Sequence, residues 1–371
     1  MSVGRTSHSW RFALASLATV VVLAAGVSAC GGSSKSSGGS STSGGGGSSA
    51  KSVNLAMITA SSTQNAFNEM GYGAQAAAGD TPGVKLHEAA PNGVNGPAEV
   101  QLFQAAMQTS GDGIATMTTT PDLFVRPFSQ AVARGIPVVA VDAAGLPGSN
   151  VNTFVGNSNT DIGKQLVNTM LKKIPASATG EVVIGNPIPG LPLLSQRIDG
   201  MKAVLKAERP NLKILGPFNV GTEPTDNYNH WNNLVKAHPN AVAYMEPGDQ
   251  GAVSFARIEK QTGKKYLVGA CDVDPAALQA VKDGYVYALG DPWHFLKGYV
   301  AIKLLAQKAQ NGKDLPQGWF NPGSGIVTAA NVDEIFKREK NNASRVAFFK
   351  STIDKELANP SAYIQPLTAA N

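Results

Sequence analysis

From Val53 to about Gln310 the chain repeats one pattern: a short apolar run, a polar loop, then a segment of helical period. The apolar runs include "VNLAMI", "GVKLHEA", "GDGIATM", "IPVVAVD", "NTFVG", "GEVVIG", "LKILGPF", "AVAYM", "YLVGA" and "YVYALG". Between them lie helix-like stretches such as "NEMGYGAQAAAG", "PAEVQLFQAAMQTS" and "DLFVRPFSQAVARG". Continuous apolar strands are buried on both faces, and their alternation with helices of about 10 to 15 residues argues for parallel βαβ units. The fold class is therefore α/β with wound sheets. Roughly ten strands exceed what one compact sheet comfortably holds, which predicts two lobes. Ligands of such sheets sit beyond the carboxyl ends of the strands, so the loops that follow strands are the ones to read for function.

The N-terminal region is of another kind. Arg5 and Arg11 form a positive segment, Phe12 to Gly26 an apolar one too short for a stable membrane span, and "VSA" precedes Cys30. Residues 1–29 read as a secretory signal peptide. Its end resembles the bacterial lipobox, which implies lipid on Cys30 and attachment to a membrane through it. Residues 30–52 are mostly Gly and Ser, a random-coil tether with a reach of about 25 Å. Two acyl chains hold a protein at a membrane surface where one holds weakly.

Composition excludes more than it selects. The 371 residues carry a formal charge of +5, and setting aside Arg5 and Arg11 leaves +3, too mild and scattered for nucleic acid. The only cysteines are Cys30 and Cys271; with lipid on the first, no internal disulfide is available and the exported fold relies on its core. None of the five histidines sits at a metal-site spacing, and there is no nucleophile elbow or P-loop. "GYGAQA" at Gly71–Ala76 imitates a dinucleotide fingerprint, but a long loop separates it from the preceding strand, and its glycines read as helix-packing positions. No cofactor and no enzymatic activity are expected.

Polar and aromatic residues gather after the strands: Gln64, Asn65 and Phe67, then Asp142, Asn157 and Asn159, Glu246 and Asp249, Asp272, and Asp291 with Trp293. Carboxylates and amides pair with neighbouring hydroxyls, and aromatic faces cover the C–H surface of a sugar ring. The same residue types also form turns and helix caps in any α/β protein, a reading that applies with most force to Asn159 and Asp274.

Five ordered segments carry a resemblance to a known family. "GIPVVAVDAAG", "IPGLPLLSQRIDGMKAVL", "NNLVKAHPNAVAYMEPGDQGA", "VGACDVDPAALQAVKDG" and "LGDPWHFLKGYVAIKLL" resemble motifs of the ribose-type, type I periplasmic sugar-binding proteins that serve ABC importers. The resemblance implies two Rossmann-like lobes with parallel sheets joined by a three-crossover hinge. Residues 53–157 plus 291–325 are expected in the N-terminal lobe, and 158–290 plus 326–371 in the C-terminal lobe and tail. It further implies a monomer that captures a sugar-like small molecule between its lobes and delivers it to an ABC permease outside the cytoplasm. A sensor of the same fold and, more remotely, an extracellular enzyme are the alternatives.

Matched by position, Asn65 and Phe67 take the first-loop contacts, Asp142 and Asp272 the acids of the two lobes, and Trp293 a place where glutamine is common. The chain also departs from the pattern. Ala143 and Ser195 stand where arginines are frequent, leaving Arg197 as the nearby guanidinium, and Glu246 or Asp249 replaces an Asn-Asp pair. Trp293 reads equally as a ligand face or as hinge packing. The ligand set expected from sequence is thus Asn65, Phe67, Asp142, Asn159, Arg197, Glu246, Asp249, Asp272 and Trp293. The tail beyond Leu315 reads as a charged, solvated clasp, with a partner surface as the alternative.

Overall fold

The structure is a computed structural model and describes residues 50–370. The signal segment, Cys30 and nearly all of the Gly/Ser tether lie outside the described residues.

The first half alternates as expected: β1 (Val53–Ile58), α1 (Asn65–Gly79), β2 (Val84–Ala89), α2 (Gly96–Thr109), β3 (Gly113–Met117), α3 (Pro121–Ala133), β4 (Val138–Val141) and β5 (Thr153–Val155). The second half repeats it: α4 (Asn159–Met170), β6 (Gly180–Asn186), α5 (Pro192–Glu208), β7 (Leu212–Asn219), α6 (Pro224–Ala237), β8 (Ala243–Met245), α7 (Gln250–Thr262), β9 (Val268–Cys271), α8 (Pro275–Lys282) and β10 (Ala288–Asp291). Then follow α9 (His294–Asn311), β11 (Gly318–Phe320), β12 (Gly325–Val327), α10 (Val332–Arg338), α11 (Asn342–Ala358) and β13 (Ile364–Gln365).

Two sheets result, with orders β13-β11-β5-β4-β3-β1-β2 and β12-β10-β9-β8-β6-β7. Their first five strands share one winding: β2-β1-β3-β4-β5 is repeated as β7-β6-β8-β9-β10, and all these pairs are parallel. Only β12 and β13 run antiparallel. Burial follows from strand order. The inner strands β3, β4, β9 and β10 are buried at every residue, whereas the edge strands β2 and β7 are largely exposed or half-buried. This is why the inner strands read as unbroken apolar runs.

A pair of glycines brings two helices together in each lobe. A Cβ on Gly73 of α1 would lie 1.9 Å from the Phe295 carbonyl, and one on Gly298 of α9 would lie 1.9 Å from the Met70 carbonyl. In the second lobe a Cβ on Gly163 of α4 would lie 1.9 Å from the Arg197 carbonyl, and one on Gly200 of α5 would lie 2.1 Å from the Thr160 carbonyl. The "GYGAQA" glycine Gly73 is therefore a packing position. These crossings set the depth of α5 and α9, whose first two turns carry the charges described below.

The chain passes between the lobes after β5, after β10 and between β11 and β12, the three crossovers of the expected hinge. It then passes once more. Helix α10 packs on α8, but α11 packs on α9 and α1, and β13 joins the first sheet. Assigning the whole tail to the second lobe is thus corrected: only its first part lies there, because α11 buries Phe349 and Ile353 in the first lobe's core. At the turn, Arg338 pairs with Asp291 Oδ2 at 2.5 Å and with Glu339, which also takes Arg345. Arg338 is 3% exposed, so this end of the tail is an internal clasp and not a solvated one.

Candidate functional site

The loops after eight strands converge between the lobes. Gln64 to Phe67 follow β1, Met117 ends β3, Asp142 follows β4, and Pro187 to Leu194 follow β6; Thr222, Asp249, Asp272 and His294 follow β7 to β10. They enclose a cavity of about 40 Å³. Asp142 and Leu193 separate it from a second compartment of about 80 Å³, which also touches Asn159, Gln196 and Ala370. Both lie at the carboxyl ends of the strands, as the rule for open α/β sheets requires.

Asp142 and Asp272 occupy equivalent places, each directly after the fourth strand of its lobe's winding. Both have left-handed backbones, with φ of 61° and 67°. Their amides donate to the next strand, Asp142 to Val155 O at 2.9 Å and Asp272 to Gly290 O at 2.7 Å. Aspartate tolerates this conformation better than most residues, and the kink aims each carboxylate inward.

Buried bases join the two acids. Lys297, wholly buried on α9, donates to Asp142 and, at 3.1 Å, to His294 Nδ1. The ring's other nitrogen then carries the proton and donates to Asp272 Oδ1 at 2.9 Å, linking the lobes. Arg197 of α5 donates to Asp272 Oδ1 at 3.2 Å, to Pro247 O at 2.7 Å and, through Nε, to Asn159 Oδ1 at 2.9 Å.

The titration shifts follow. Burial pushes both aspartates up, but the neighbouring Lys297 outweighs it at Asp142 and lowers that carboxyl. At Asp272, Arg197 and His294 do the same and bring it to about 2. Burial and then the Lys297 charge lower His294, which keeps it neutral at pH 7. Asp249 goes the other way: burial, with Asp272, Asp274 and Glu246 nearby, lifts it to about 8. Burial lowers Lys297 while Asp142 raises it, so the Lys297–Asp142 pair shares its proton and carries no net charge; Asp272 faces Arg197, and Asp249, lifted to about 8, is mostly protonated at neutral pH.

Three buried polar atoms of the cavity wall meet no protein partner: Gln64 Nε2, Arg197 Nη2 and Asp249 Oδ2. The other side of the wall is aliphatic, from Ile188, Leu191, Leu193 and Leu194 of the second lobe against Phe67 and Met117 of the first.

Of the residues expected from sequence, Phe67, Asp142, Arg197, Asp249 and Asp272 line the central cavity. Asn159 lines the second compartment and orients Arg197. Asn65 bridges the lobes instead, donating to Val273 O at 3.0 Å and to Glu69 at 2.9 Å. Two expectations are corrected. Glu246 is turned into the second lobe, where it accepts from Trp231, Asn227 and the Gly251 amide; of Glu246 and Asp249, only the latter faces the cavity. Trp293 has a left-handed backbone (φ 50°) and its ring packs against Gly323, Gly325 and Phe349, so it is hinge packing. Ser195 is exposed and bonds Leu191 O, which leaves Arg197 as the cleft guanidinium.

His294 and Lys297 were not anticipated. Their signal was available: a histidine and a lysine one turn apart at the start of an otherwise apolar helix. Among the described residues no cluster of His, Cys, Asp or Glu is arranged to hold a metal ion, and the Cys271 thiol is buried and pushed up to about 12.

Comparison with known proteins gives the lineage of this arrangement. A periplasmic binding protein domain is matched over residues 55–314. The xylose/arabinose-binding protein XylF of Sulfolobus acidocaldarius is 23% identical over 267 residues, covering 67% of this chain and 64% of that protein. An ABC transporter solute-binding protein of Burkholderia graminis, solved with D-arabinose, superposes with a TM-score of 0.69 at 26% identity, covering 76% of this chain and 97% of the other. One from Agrobacterium vitis with bound D-fucose gives 0.70 at 20%, with coverage of 76% and 97%. With two like-wound lobes, a cleft at their strand ends and the domain matched from Leu55 to Asp314, this chain belongs to the periplasmic binding protein family.

Proposed function

We propose that the protein is an extracytoplasmic solute-binding protein that captures a neutral sugar or polyol between its lobes and passes it to an ABC permease. The observation that carries this is the set of unpartnered polar atoms around an otherwise satisfied charge network. Gln64 Nε2 and Arg197 Nη2 are donors, and Asp249 Oδ2, on a carboxyl lifted to about 8, serves as donor or acceptor. Hydroxyl groups both donate and accept, so a polyol satisfies all three at once. The balanced charges of the cluster favour a neutral ligand, because a net charge brought into this cleft has no free counter-charge. The sugars in the names of the similar proteins point the same way.

Capture follows from differential binding. Groups from both lobes face one cavity, so a ligand touching both binds the closed arrangement better than an open one and shifts the population by that difference. We further assign the N-terminal segment as a lipoprotein signal. Lipid on Cys30 and the Gly/Ser tether then keep a monomeric binder at high effective concentration beside its permease while leaving it free to turn. We take binding without turnover as part of this reading, as the names of the similar solute-binding proteins suggest.

The test is a thermal-shift screen of the protein against pentoses, hexoses, deoxyhexoses, tetritols and pentitols, with sugar acids and amino acids as contrasts. A ligand at 100 times its dissociation constant adds about 2.7 kcal/mol of stability. Stabilisation by a neutral polyol that disappears in Asp272→Ala supports the reading. Stabilisation by charged ligands alone overturns it.

A further inference from the structure

After α11 the chain makes a 3-10 turn at Pro360–Tyr363, pairs β13 with β11, and ends in a second 3-10 turn at Leu367–Ala370. This last turn lies at the mouth of the cleft. Leu367 and Ala370 pack on the first-lobe cluster that contains Phe154 and Trp319. Ala370 O accepts from Gln196 Nε2 at 3.4 Å, and Gln196 belongs to α5 of the second lobe. Ala370 also lines the compartment of about 80 Å³ beside Asp142, Leu193 and Asn159. Residues 367–370 therefore form one wall of the site.

We propose that residues 366–370 are a strap that sets the upper size of the ligand, restricting the site to one compact sugar or polyol unit. The proposal rests on the reading of the cleft as a polyol site. The remaining walls are strand ends and first helical turns, pinned by the Asp142–Lys297–His294–Asp272–Arg197 network and by the glycine crossings. The strap is held by two paired residues, Gln365 with Trp319 and Ile364 with Phe320, by the packing of Leu367 and Ala370 on the first lobe, and by one long hydrogen bond, with no ion pair of its own among the described residues. It is the wall without a charged anchor, and Ala370 borders the outer compartment beside Asp142 and Leu193. Ala370 and Gln196 border the outer compartment together, so a ligand that extends from the central cavity through that compartment meets the strap.

The experiment compares calorimetric binding by the full chain, a chain ending at Gln365, and Ala370→Trp. The probes are D-xylose, D-arabinose and D-fucose, their methyl glycosides, and xylobiose. The full chain is expected to bind at least one free sugar and to bind its glycoside and the disaccharide at least 100-fold more weakly. Truncation should keep free-sugar affinity within tenfold and narrow that gap at least tenfold. Ala370→Trp, which fills the outer compartment from the edge of the Phe154 and Trp319 cluster, should weaken even the free sugar at least tenfold while the melting temperature of the free protein shows that it remains folded. An unchanged gap in the truncated chain, or undiminished sugar binding by Ala370→Trp, overturns the strap alone. If truncation unfolds the chain, the tryptophan variant decides. Absence of sugar binding in every chain overturns the reading of the site itself, whereas binding that appears only on truncation supports the strap.

Discussion

Replacing Lys297 by methionine probes the network that joins the lobes. Lys297 is 0% exposed and Asp142 3%, and the ammonium is the base in direct contact with that carboxylate. Methionine keeps the length and apolar stem but strands a buried negative charge. Breaking a buried pair in this way costs about 3 to 5 kcal/mol. At about 2 °C per kcal/mol for a chain of this size, the melting temperature should fall by roughly 6 to 10 °C at pH 7. The sign of the pH dependence is set by the stranded acid. Without Lys297 its folded pKa rises above the unfolded value near 3.9, so the penalty is small at acidic pH and grows as pH rises. Urea denaturation of both proteins at pH 5 and pH 8 should show the larger deficit at pH 8. Adding Asp142→Asn removes the stranded charge, and asparagine tolerates the left-handed backbone at that position, so the double variant should recover at least half of the loss. A deficit under about 1 kcal/mol, or one that neither pH nor Asp142→Asn alters, refutes the reasoning.

Other consequences follow from the same geometry. Asp249, lifted to about 8, binds a proton on folding, so stability should decline as pH rises from about 4 to about 8; Asp249→Asn should reduce that decline, with the other raised carboxyls, Glu99 at about 8 and Glu246 and Glu356 at about 7 among them, supplying what remains. Chemical denaturation across that range checks it, and an unaltered slope counts against the assignment. Gly298→Ala drives a methyl group into the Met70 carbonyl and should destabilise by about 1 to 3 kcal/mol, while the same change at exposed Gly79, where nothing lies within 4 Å, should not. Trp293→Gly relieves a left-handed tryptophan but removes its packing on Phe349, so it should lower stability by about 2 kcal/mol while sugar affinity changes less than threefold; a large loss of affinity would return that ring to the site. Arg197→Lys keeps the charge but loses the planar fork shared among Asn159, Pro247 and Asp272, and calorimetry should show at least a tenfold weaker complex.

The alternation of apolar runs and helical segments carried the fold class, because inner strands covered on both faces admit little but aliphatic residues. It carried the position of the site as well, since a doubly wound sheet leaves open only the loops at its strand ends. Asp142 and Asp272 were legible as acids terminating apolar strands. Side-chain direction was not. Glu246 and Asp249 are three residues apart in one loop, and only the turn into α7 sends the first inward to Trp231 and the second to the cleft. Trp293 stands at a helix cap whose backbone angles turn its ring toward the hinge glycines, a fact that residue type does not encode. His294 and Lys297 escaped notice because a buried base has meaning only beside its acids, which come from strands 155 and 22 residues away. The tail's return to the first lobe depends on a strand of two residues, too short to leave a periodic signal.

The most direct measurement is a crystal structure of the protein with the neutral sugar or polyol that stabilises it most in the screen. The account predicts one ligand molecule between the lobes, contacting Asp272 or Arg197 from one side and Asp142 or Gln64 from the other, with Arg197 Nη2 and Asp249 Oδ2 engaged by its hydroxyls. A ligand seated elsewhere, such as the basic groove of Lys172, Lys173 and Lys265 at the far end of the second lobe, would contradict it.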